Sequence, residues 1–467
     1  MAMYYVAMGV TMNRLTSSVF LGIGLAAIVL ITGAKAWAHD GQVDVAFGDR
    51  GHIVVGRPFY FMSVGPDGGV ALLGRFEVAR VLSNGEPDPR FGAGGSQVLP
   101  ETIEGSPYVL SALAVDDQER IILFGSAFPP GYPVVGREPG SVQVTRGLVM
   151  RLSPEGELDP SFDEGSGAVV SAFGLSSKVP ELSGQPTTSV LAGIVDSQDR
   201  PVLVAGVAGS YSPCISHSFY APFAREIVRL TSSGSLDRSF GGGDGRSPAL
   251  RNLNAQPPPR LGLTTTDQPL VMGAEGSACA RSSLAFRFNA NGEPFLGYGS
   301  QGRFHLPFRS FGSIAASTGS GGLVLRQGVP VATKVLRVTP AGSIDRAFGK
   351  DGAAVVHLPS GTNRLLTPVA VDSRNRVLLV GSYSRRVAGS DRKRASLVVE
   401  RLLGSGRPDP GFGSGGMIST PIRAAQVLGH KEAVLDPQGR LLVLSQVRRP
   451  TFGTHAKVVL TRFKMGS

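Results

Sequence analysis

The chain has 467 residues and a formal net charge of +11, with 63 glycines, 33 prolines and only two cysteines. A chain of this length can bury a large core in one or two domains, and so few cysteines exclude a small fold held together by a disulfide framework. The positive balance is carried mainly by arginine and is compatible with an acidic partner, without identifying one.

The first predicted element is a secretory signal peptide over residues 1–38. The uncharged stretch "LTSSVFLGIGLAAIVLITGA" follows Arg14, and the small residues Ala36 and Ala38 then form a signal-peptidase site that predicts cleavage after Ala38. Met12 is an alternative start, because "MNRL" makes a more compact basic region. An uncleaved membrane anchor is the competing interpretation, since an uncharged run of this length could just span a bilayer. Cleavage predicts a secreted or periplasmic protein with no membrane span after signal removal.

The rest of the chain, residues 39–467, repeats one unit of short strands. Each unit begins with two apolar runs around a tight polar turn, as in "ALAVDDQERIILFGS" and "VAVDSRNRVLLVGS". A third apolar run carries one arginine. The seven arginines are Arg80, Arg151, Arg229, Arg287, Arg337, Arg401 and Arg462.

A glycine-rich segment, here called the outer motif, completes each unit, as in "GELDPSFDEGSG" and "GSIDRAFGKDG". Its acids are Asp44, Asp88, Asp159, Asp237, Asp345 and Asp409. Its aromatic residues are Phe47, Phe91, Phe162, Phe240, Tyr298, Phe348 and Phe412. The fourth unit departs from the pattern, because Phe295 stands where Asp is expected.

Four strands repeated seven times predict an all-β fold, a seven-bladed β-propeller of four-stranded blades that forms a single domain over residues 39–467. A β-solenoid is the alternative, but it would need a tighter and more constant period. The chain starts with an outer motif and ends after a third strand. We therefore expect residues 41–55 to complete blade seven in a 3+1 arrangement, with Arg462 facing Asp44.

Arginine and aspartate stand eight residues apart in the five units with an unbroken Arg-to-Asp spacing. A three-residue hairpin loop ending in glycine, such as 154–156, places Arg151 opposite Asp159 as a cross-strand ion pair. The aromatic residue is expected to point to the other face and to pack between blades. A metal or acid–base role for the repeated aspartates is the competing hypothesis. Unpaired Arg287 could be a ligand contact, or the fourth repeat has simply drifted.

The outer motif after an "R-L" strand resembles the delta-60 repeat, a bacterial relative of the NHL-type propeller repeats. The resemblance extends over nearly all of residues 41–464. It implies a propeller fold and a surface or secreted setting, and it implies no established reaction. In NHL-like propellers the turns between strands one and two and between strands three and four share one face, and the longer connections share the other.

The longer connections are residues 126–146, 171–188, 208–225, 246–260, 382–397 and 445–457. Those of blades six and seven carry basic residues, which predict a binding patch for a protein or an anionic polysaccharide of the cell envelope. The patch is Arg385, Arg386, Arg392, Lys393, Arg394, Arg448 and Arg449. Solvated surface loops are the alternative, and nucleic acid is not expected, because aromatic residues for base stacking are scarce there. Cys214 and Cys279 predict a disulfide between blades three and four, with two free thiols as the alternative.

Catalytic signatures such as G-x-S-x-G, the P-loop, H-E-x-x-H and the EF-hand loop are absent from the sequence, and no catalytic residue, metal or cofactor is predicted. The histidines show no close metal-ligand spacing, although His52, His305 and His357 each follow an outer motif. The sequence favours a monomeric, non-catalytic binding or scaffold propeller. The alternative is a propeller enzyme, a hydrolase, lyase or quinone-dependent dehydrogenase, with its site at the channel mouth on the long-loop face.

Overall fold

Antiparallel strands account for nearly all regular structure in the computed structural model, and they form seven small sheets. The described residues are 40–56, 58–130, 145–173, 188–207, 225–250, 253, 259–275, 282–309, 314–329, 332–357, 366–386, 393–422, 426–448 and 457–466. One 3-10 turn, Asp163–Gly165, is the helical element among them. No helix of this part of the chain is long and apolar enough to cross a membrane.

The first four blades follow the chain from residue 61 to residue 309. Blade one contains Phe61–Val64, Val70–Leu73, Glu77–Val81 and Ser96–Val98. Blade two contains Ser106–Val115, Ile121–Ala127, Arg146–Leu152 and Ala168–Ser171, with Thr102–Ile103 as a short fifth strand. Blade three contains Thr188–Val195, Pro201–Val207 and Arg225–Arg229, and blade four contains Arg260–Leu263, Pro269–Glu275, Ser282–Arg287 and Arg303–Arg309.

The remaining three blades complete the ring. Blade five contains Ile314–Ser317, Leu323–Val329, Ala332–Val338 and Ala353–His357. Blade six contains Thr367–Val371, Val377–Arg386, Lys393–Leu402 and Met417–Ile422. Blade seven contains Gln426–Leu435, Leu441–Arg448 and Lys457–Lys464, and its outer edge is formed by Gln42–Val43 and His52–Val55. The predicted seven-bladed propeller is confirmed.

Blade three departs from the four-stranded expectation within the described residues. Its fourth position is held by a single bridge between Val228 and Arg246 and by backbone bonds from Ser247 and Leu250 to the third strand. Pro248 follows Ser247 in the sequence, and proline lacks the N–H that a regular ladder would need. The outer edge of this blade is therefore attached without forming a regular strand.

The core lies between blades, because each sheet buries both of its faces against its neighbours. The second strand of blade two, Ile121–Ala127, is buried along its whole length. The buried residues form seven apolar clusters, one at each interface; Phe124 and Leu203, for example, meet between blades two and three. Burial on both faces explains why the second strands read as continuous apolar runs.

The N-terminal segment closes the ring as the fourth strand of blade seven. Gln42 pairs with Lys464, and His52–Val55 runs antiparallel to the third strand of the same blade. Arg462 lies 2.8 Å from Asp44. The predicted 3+1 closure by residues 41–55 is confirmed.

All seven interfaces repeat one backbone hydrogen bond of 2.7–3.0 Å. The N–H of the residue that follows the motif aromatic donates to a carbonyl in the next blade's hairpin. The donor–acceptor pairs are Gly48–Asn84, Gly92–Glu155, Asp163–Ser233, Gly241–Asn291, Gly299–Ala341, Gly349–Ser405 and Gly413–Asp40. Because the last acceptor is Asp40, residues at the start of the described chain take part in the interface between blades six and seven.

Candidate functional site

The motif arginine of each blade makes several contacts at once. In blade two, Arg151 Nε donates to Asp159 Oδ2 at 2.7 Å, and its guanidinium lies 4.6 Å from the centre of the Phe162 ring. Its Nη1 donates to the carbonyl of Ser232 in blade three. One buried arginine therefore joins its own outer motif to the neighbouring blade.

The same arrangement recurs around the ring. The Arg–Asp contacts are Arg80–Asp88 at 3.3 Å, Arg229–Asp237 at 2.8 Å, Arg337–Asp345 at 2.6 Å, Arg401–Asp409 at 2.7 Å and Arg462–Asp44 at 2.8 Å. The structure thus brings together all six predicted pairs. Because the aspartates are occupied by these pairs, they are poor candidates for metal or acid–base chemistry.

The aromatic residue packs between blades as expected, but it does not face away from the arginine. Phe162 N–H donates to Asp159 O at 3.1 Å, so the segment between them is a turn and not a strand. Alternation of side chains between two faces holds only for extended backbone. The turn returns Phe162 to the side of Arg151, where the cation can lie on the ring face.

The charge states of the pairs are set by competition between burial and bonding. Burial alone would raise the pKa of Asp159, but hydrogen bonds from Ser161 and the nearby Arg151 guanidinium lower it overall. In blade seven, burial likewise raises the pKa of Asp44, whereas Arg462 and the Ala46 N–H lower it, and the overall change is again a lowering. Both carboxylates are therefore ionised at neutral pH, as a structural ion pair requires.

Blade four shows how the drifted repeat is accommodated. Arg287 is not unpaired: its Nε and Nη2 donate to Gln268 Oε1 at 3.1 and 2.7 Å, and its guanidinium lies 4.6 Å from the Phe295 ring. Phe295, which replaces Asp, supplies the stacking surface. Gln268 supplies the acceptor from the turn between strands one and two. Nothing in this geometry singles out Arg287 as a ligand contact.

A second recurring ion pair was missed in the sequence. In the turn between strands one and two, Asp116 accepts the backbone N–H of Arg120 and also binds its side chain at 2.7 Å. The same D-x-x-x-R pairs are Asp196–Arg200, Asp372–Arg376 and Asp436–Arg440. The spacing of four is visible in "DDQER" and "DPQGR" and would have predicted these pairs.

The two kinds of turn lie on one face of the propeller. Arg200, in the first turn of blade three, lies 3.3 Å from Asp237, which follows the second turn of that blade. The longer connections begin at the opposite ends of the strands. Most of their residues lie outside the described part of the chain, and so do Cys214 and Cys279.

The predicted basic patch is partly strand and not loop. In blade six the two central strands continue to Arg386 and resume at Lys393, and Arg385 pairs with Arg394 across them. In blade seven, Arg448 pairs with Gln426 at the end of its strand. Arg392 and Arg449 lie outside the described residues. The expected loops 382–397 and 445–457 are shorter than predicted because hairpin pairing extends into them.

The histidines that follow outer motifs lie on outer strands. His52 Nδ1 is 3.0 Å from Thr461 Oγ1, and His305 and His357 pair with Leu284 and Ala332 through the backbone. Within the described ranges, no three His, Cys, Asp or Glu side chains gather in a way that could hold a metal ion. The three histidines therefore lie at the rim of the ring.

The central channel contains a carboxyl group that the sequence did not single out. Glu432 lies on the innermost strand of blade seven, and its Oε2 accepts the N–H of Met62, on the innermost strand of blade one, at 2.5 Å. Burial raises the pKa of Glu432 to about 7, against the Met62 hydrogen bond and the positive charge of Arg260. No motif surrounds this residue, so no sequence signal could have found it.

Neither a protein-family model nor a curated protein matches the sequence. Among solved structures, the chain is similar to regucalcin, a calcium-binding protein from Agrobacterium tumefaciens, with 12% identity over 75% of this chain and 88% of that chain and a TM-score of 0.31. It is also similar to the hydrazine synthase of Kuenenia stuttgartiensis, with 11% identity over 89% and 98% and a TM-score of 0.41. It is similar, too, to an ulvan lyase of a polysaccharide lyase family, with 10% identity over 91% of this chain and 94% of that chain and a TM-score of 0.35. At these identities the likeness is one of architecture.

Proposed function

We propose that this protein is a secreted or periplasmic binding propeller, built from delta-60 repeats, that presents the long-loop face of blades six and seven to an anionic partner of the cell envelope. The partner class is an acidic polysaccharide. In this proposal the repeated arginines and aspartates hold the ring rigid and take no part in catalysis. A rigid ring is a suitable scaffold, because binding loops lose less entropy when their ends are already held in place.

The register of the blade-six hairpin carries the proposal. Arg385 stands opposite Arg394, and Arg386 stands opposite Lys393, at the last two paired positions of the hairpin. The register sets four basic residues at adjacent paired positions of one hairpin, and a polyanion offers the opposite charge. The strand end at Arg448 adds a further cation in the neighbouring blade.

Charge reversal tests the proposal. The double variant Arg386→Glu/Arg394→Glu should bind polygalacturonate at least tenfold more weakly, and the binding of the unaltered protein should weaken steeply as salt screens the charges. The matched control is Arg374→Glu/Arg407→Glu, which changes the net charge equally but alters exposed residues beside the turns of the same blade. Equal losses of affinity in both variants would show that net charge, and not the hairpin surface, determines binding. Unchanged binding in the first variant would also overturn the proposal.

A further inference from the structure

Matching positions of the innermost strands recur around the central channel. In five blades the residue four places before the first turn pairs with the residue four places after it, whereas a register shift changes this pairing in blades five and six. These residues are Phe61, Ala112, Ala192, Arg260 and Glu432. Three are apolar, and the two charged ones belong to blades four and seven.

Blades four and seven stand three places apart in a ring of seven, which is as far apart as two blades can be. Arg260 and Glu432 therefore lie at one level on opposite sides of the channel. Their charges act on each other, since Arg260 stabilises the ionised form of Glu432. Arg260 is exposed and makes no hydrogen bond or ion pair with the residues that the structure describes.

We propose that the central channel binds a small hydroxycarboxylate of the kind that a uronic acid presents, with Arg260 binding the carboxylate and Glu432 the hydroxyl. The planar guanidinium matches a carboxylate through two parallel hydrogen bonds. One oxygen of Glu432 accepts from Met62 N–H, and within the described part of the chain the other oxygen makes no hydrogen bond. Ala112 and Ala192 at this level carry no polar group that would compete for the ligand.

A hydroxyl suits Glu432 better than a cationic group does. Because burial raises the pKa of Glu432 to about 7, this side chain is partly protonated at neutral pH. A hydroxyl can donate to the carboxylate and accept from the carboxylic acid, whereas an ammonium group is bound only by the ionised form. This site is separate from the basic hairpin of blade six and does not depend on it.

Calorimetric titration of the full-length protein with glucuronate tests the site, with glucose as the ligand that lacks a carboxylate. Saturable binding of glucuronate and none of glucose is expected. Arg260→Ala should weaken binding at least tenfold, and Arg260→Lys should weaken it less. Glu432→Ala removes the partner of the ligand hydroxyl and should weaken binding about tenfold, whereas Glu432→Gln should recover most of this loss, because an amide can still pair with a hydroxyl and with Met62 N–H. Arg346→Ala, which alters an exposed arginine of an outer motif, is the matched control.

The proposal is overturned if glucuronate does not saturate the unaltered protein or if Arg260→Ala and Arg346→Ala bind it equally well. An oligouronate that competes at equal molarity would identify chain ends as the ligand, and one that does not would identify the free sugar. Retention on polygalacturonate should survive Arg260→Ala, whereas glucuronate binding should survive Arg386→Glu/Arg394→Glu. The channel site and the hairpin surface can therefore fail independently.

Discussion

Blade two and blade seven make the same contacts from very different parts of the chain. Arg151 binds an aspartate eight residues away, whereas Arg462 binds one 418 residues away. Each arginine also lies on a motif phenylalanine, at 4.6 Å in blade two and 4.3 Å in blade seven. In blade two the chain itself keeps these groups close, but in blade seven only non-covalent contacts do.

The glycine that begins the outer motif shows how closely the split blade copies the continuous ones. A Cβ added to Gly41 would lie 2.5 Å from Phe412, and one added to Gly156 would lie 3.1 Å from Phe91. Both glycines have positive φ, a conformation that favours glycine. The missing hairpin connection lies between Gly466 and Asp40, where an added Cβ on Gly466 would touch the Asp40 carboxylate. The ends of the described chain therefore meet where the other blades have a turn.

Deleting residues 40–55 should have the largest effect on this comparison. The deletion removes the outer edge of blade seven, exposes its third strand and leaves Arg462 and Arg401 without Asp44 and Asp40. We expect loss of cooperative thermal unfolding, or an unfolding midpoint at least about 10 °C lower, as measured by circular dichroism. The reason is that the lost interface contributes several kcal/mol to stability. Deletion of residues 1–38 is the control and should not change the midpoint.

A circular permutant sharpens the same test. Joining Gly466 to Asp40 and opening the chain after residue 56 would make blade seven continuous. The permutant should unfold at or above the temperature of the natural chain order, because the new connection removes loop-closure entropy. A permutant that unfolds as early as the deletion would contradict closure by residues 40–55.

Loss of the closing arginine is expected to have the next largest effect. Arg462→Met removes the buried partner of Asp44 and leaves this carboxylate only the exposed Lys464, at 3.4 Å. Loss of one side of a buried pair costs about 3–5 kcal/mol. Arg151→Met should cost a similar amount in urea unfolding, but only Arg462→Met should also release the N-terminal strand to limited proteolysis. Arg462→Met/Asp44→Leu should recover part of the loss. Equal proteolysis of the two single variants would show that the split blade is no weaker than the continuous one.

Blades six and seven differ in the residue before the motif arginine, and this difference should make the stability of blade six depend on pH. Thr461 bonds to His52, whereas burial raises the pKa of Glu400 to about 7. The folded state thus binds the Glu400 proton more tightly than the unfolded state, for which the ordinary value is 4.5. Protonated Glu400 therefore adds up to ~3 kcal/mol to the free energy of unfolding. This contribution is complete below pH 4.5 and is lost as the pH rises through 7.

Urea unfolding between pH 4.5 and 8 measures this slope. Glu400→Gln should reduce it, and Met150→Leu, which alters the matching buried position of blade two, should leave it unchanged. The slope that remains in Glu400→Gln should come partly from Glu432, whose pKa is raised in the same direction. A slope that is identical with and without Glu400 would rule out its titration in this range.

The smallest expected effect concerns blade four, in which the acceptor comes from a different turn. Gln268→Ala removes the oxygen that holds Arg287 and leaves the Pro340 carbonyl and the Phe295 ring as its remaining contacts. We expect a loss of about 1–2 kcal/mol in urea unfolding. Gln118→Ala, an exposed glutamine in the corresponding turn of blade two, should change stability by less than about 0.5 kcal/mol. Equal effects would mean that Gln268 does not replace the missing Asp.

The sequence by itself determined the number of blades, the pairing of Arg151 with Asp159 and the closure of blade seven by residues 41–55. The number of blades and the Arg–Asp pairing depend on strand patterns and on spacings of a few residues. The closure follows because the repeat starts with an isolated outer motif and ends with a unit that lacks one. It also contained the D-x-x-x-R turns, whose short spacing makes them readable. Extended backbone was assumed where the outer motif forms a turn, so the side on which Phe162 lies was predicted wrongly.

Only the tertiary structure decided which groups distant in the sequence come together. Gln268 could replace the missing aspartate of blade four because the first turn of that blade folds back beside Arg287. Arg260 and Glu432 share one level of the channel because strands from blades four and seven converge on the ring axis. Neither arrangement follows from a local spacing. The first depends on how the turn of blade four folds over its third strand, and the second depends on the angles at which all seven sheets pack.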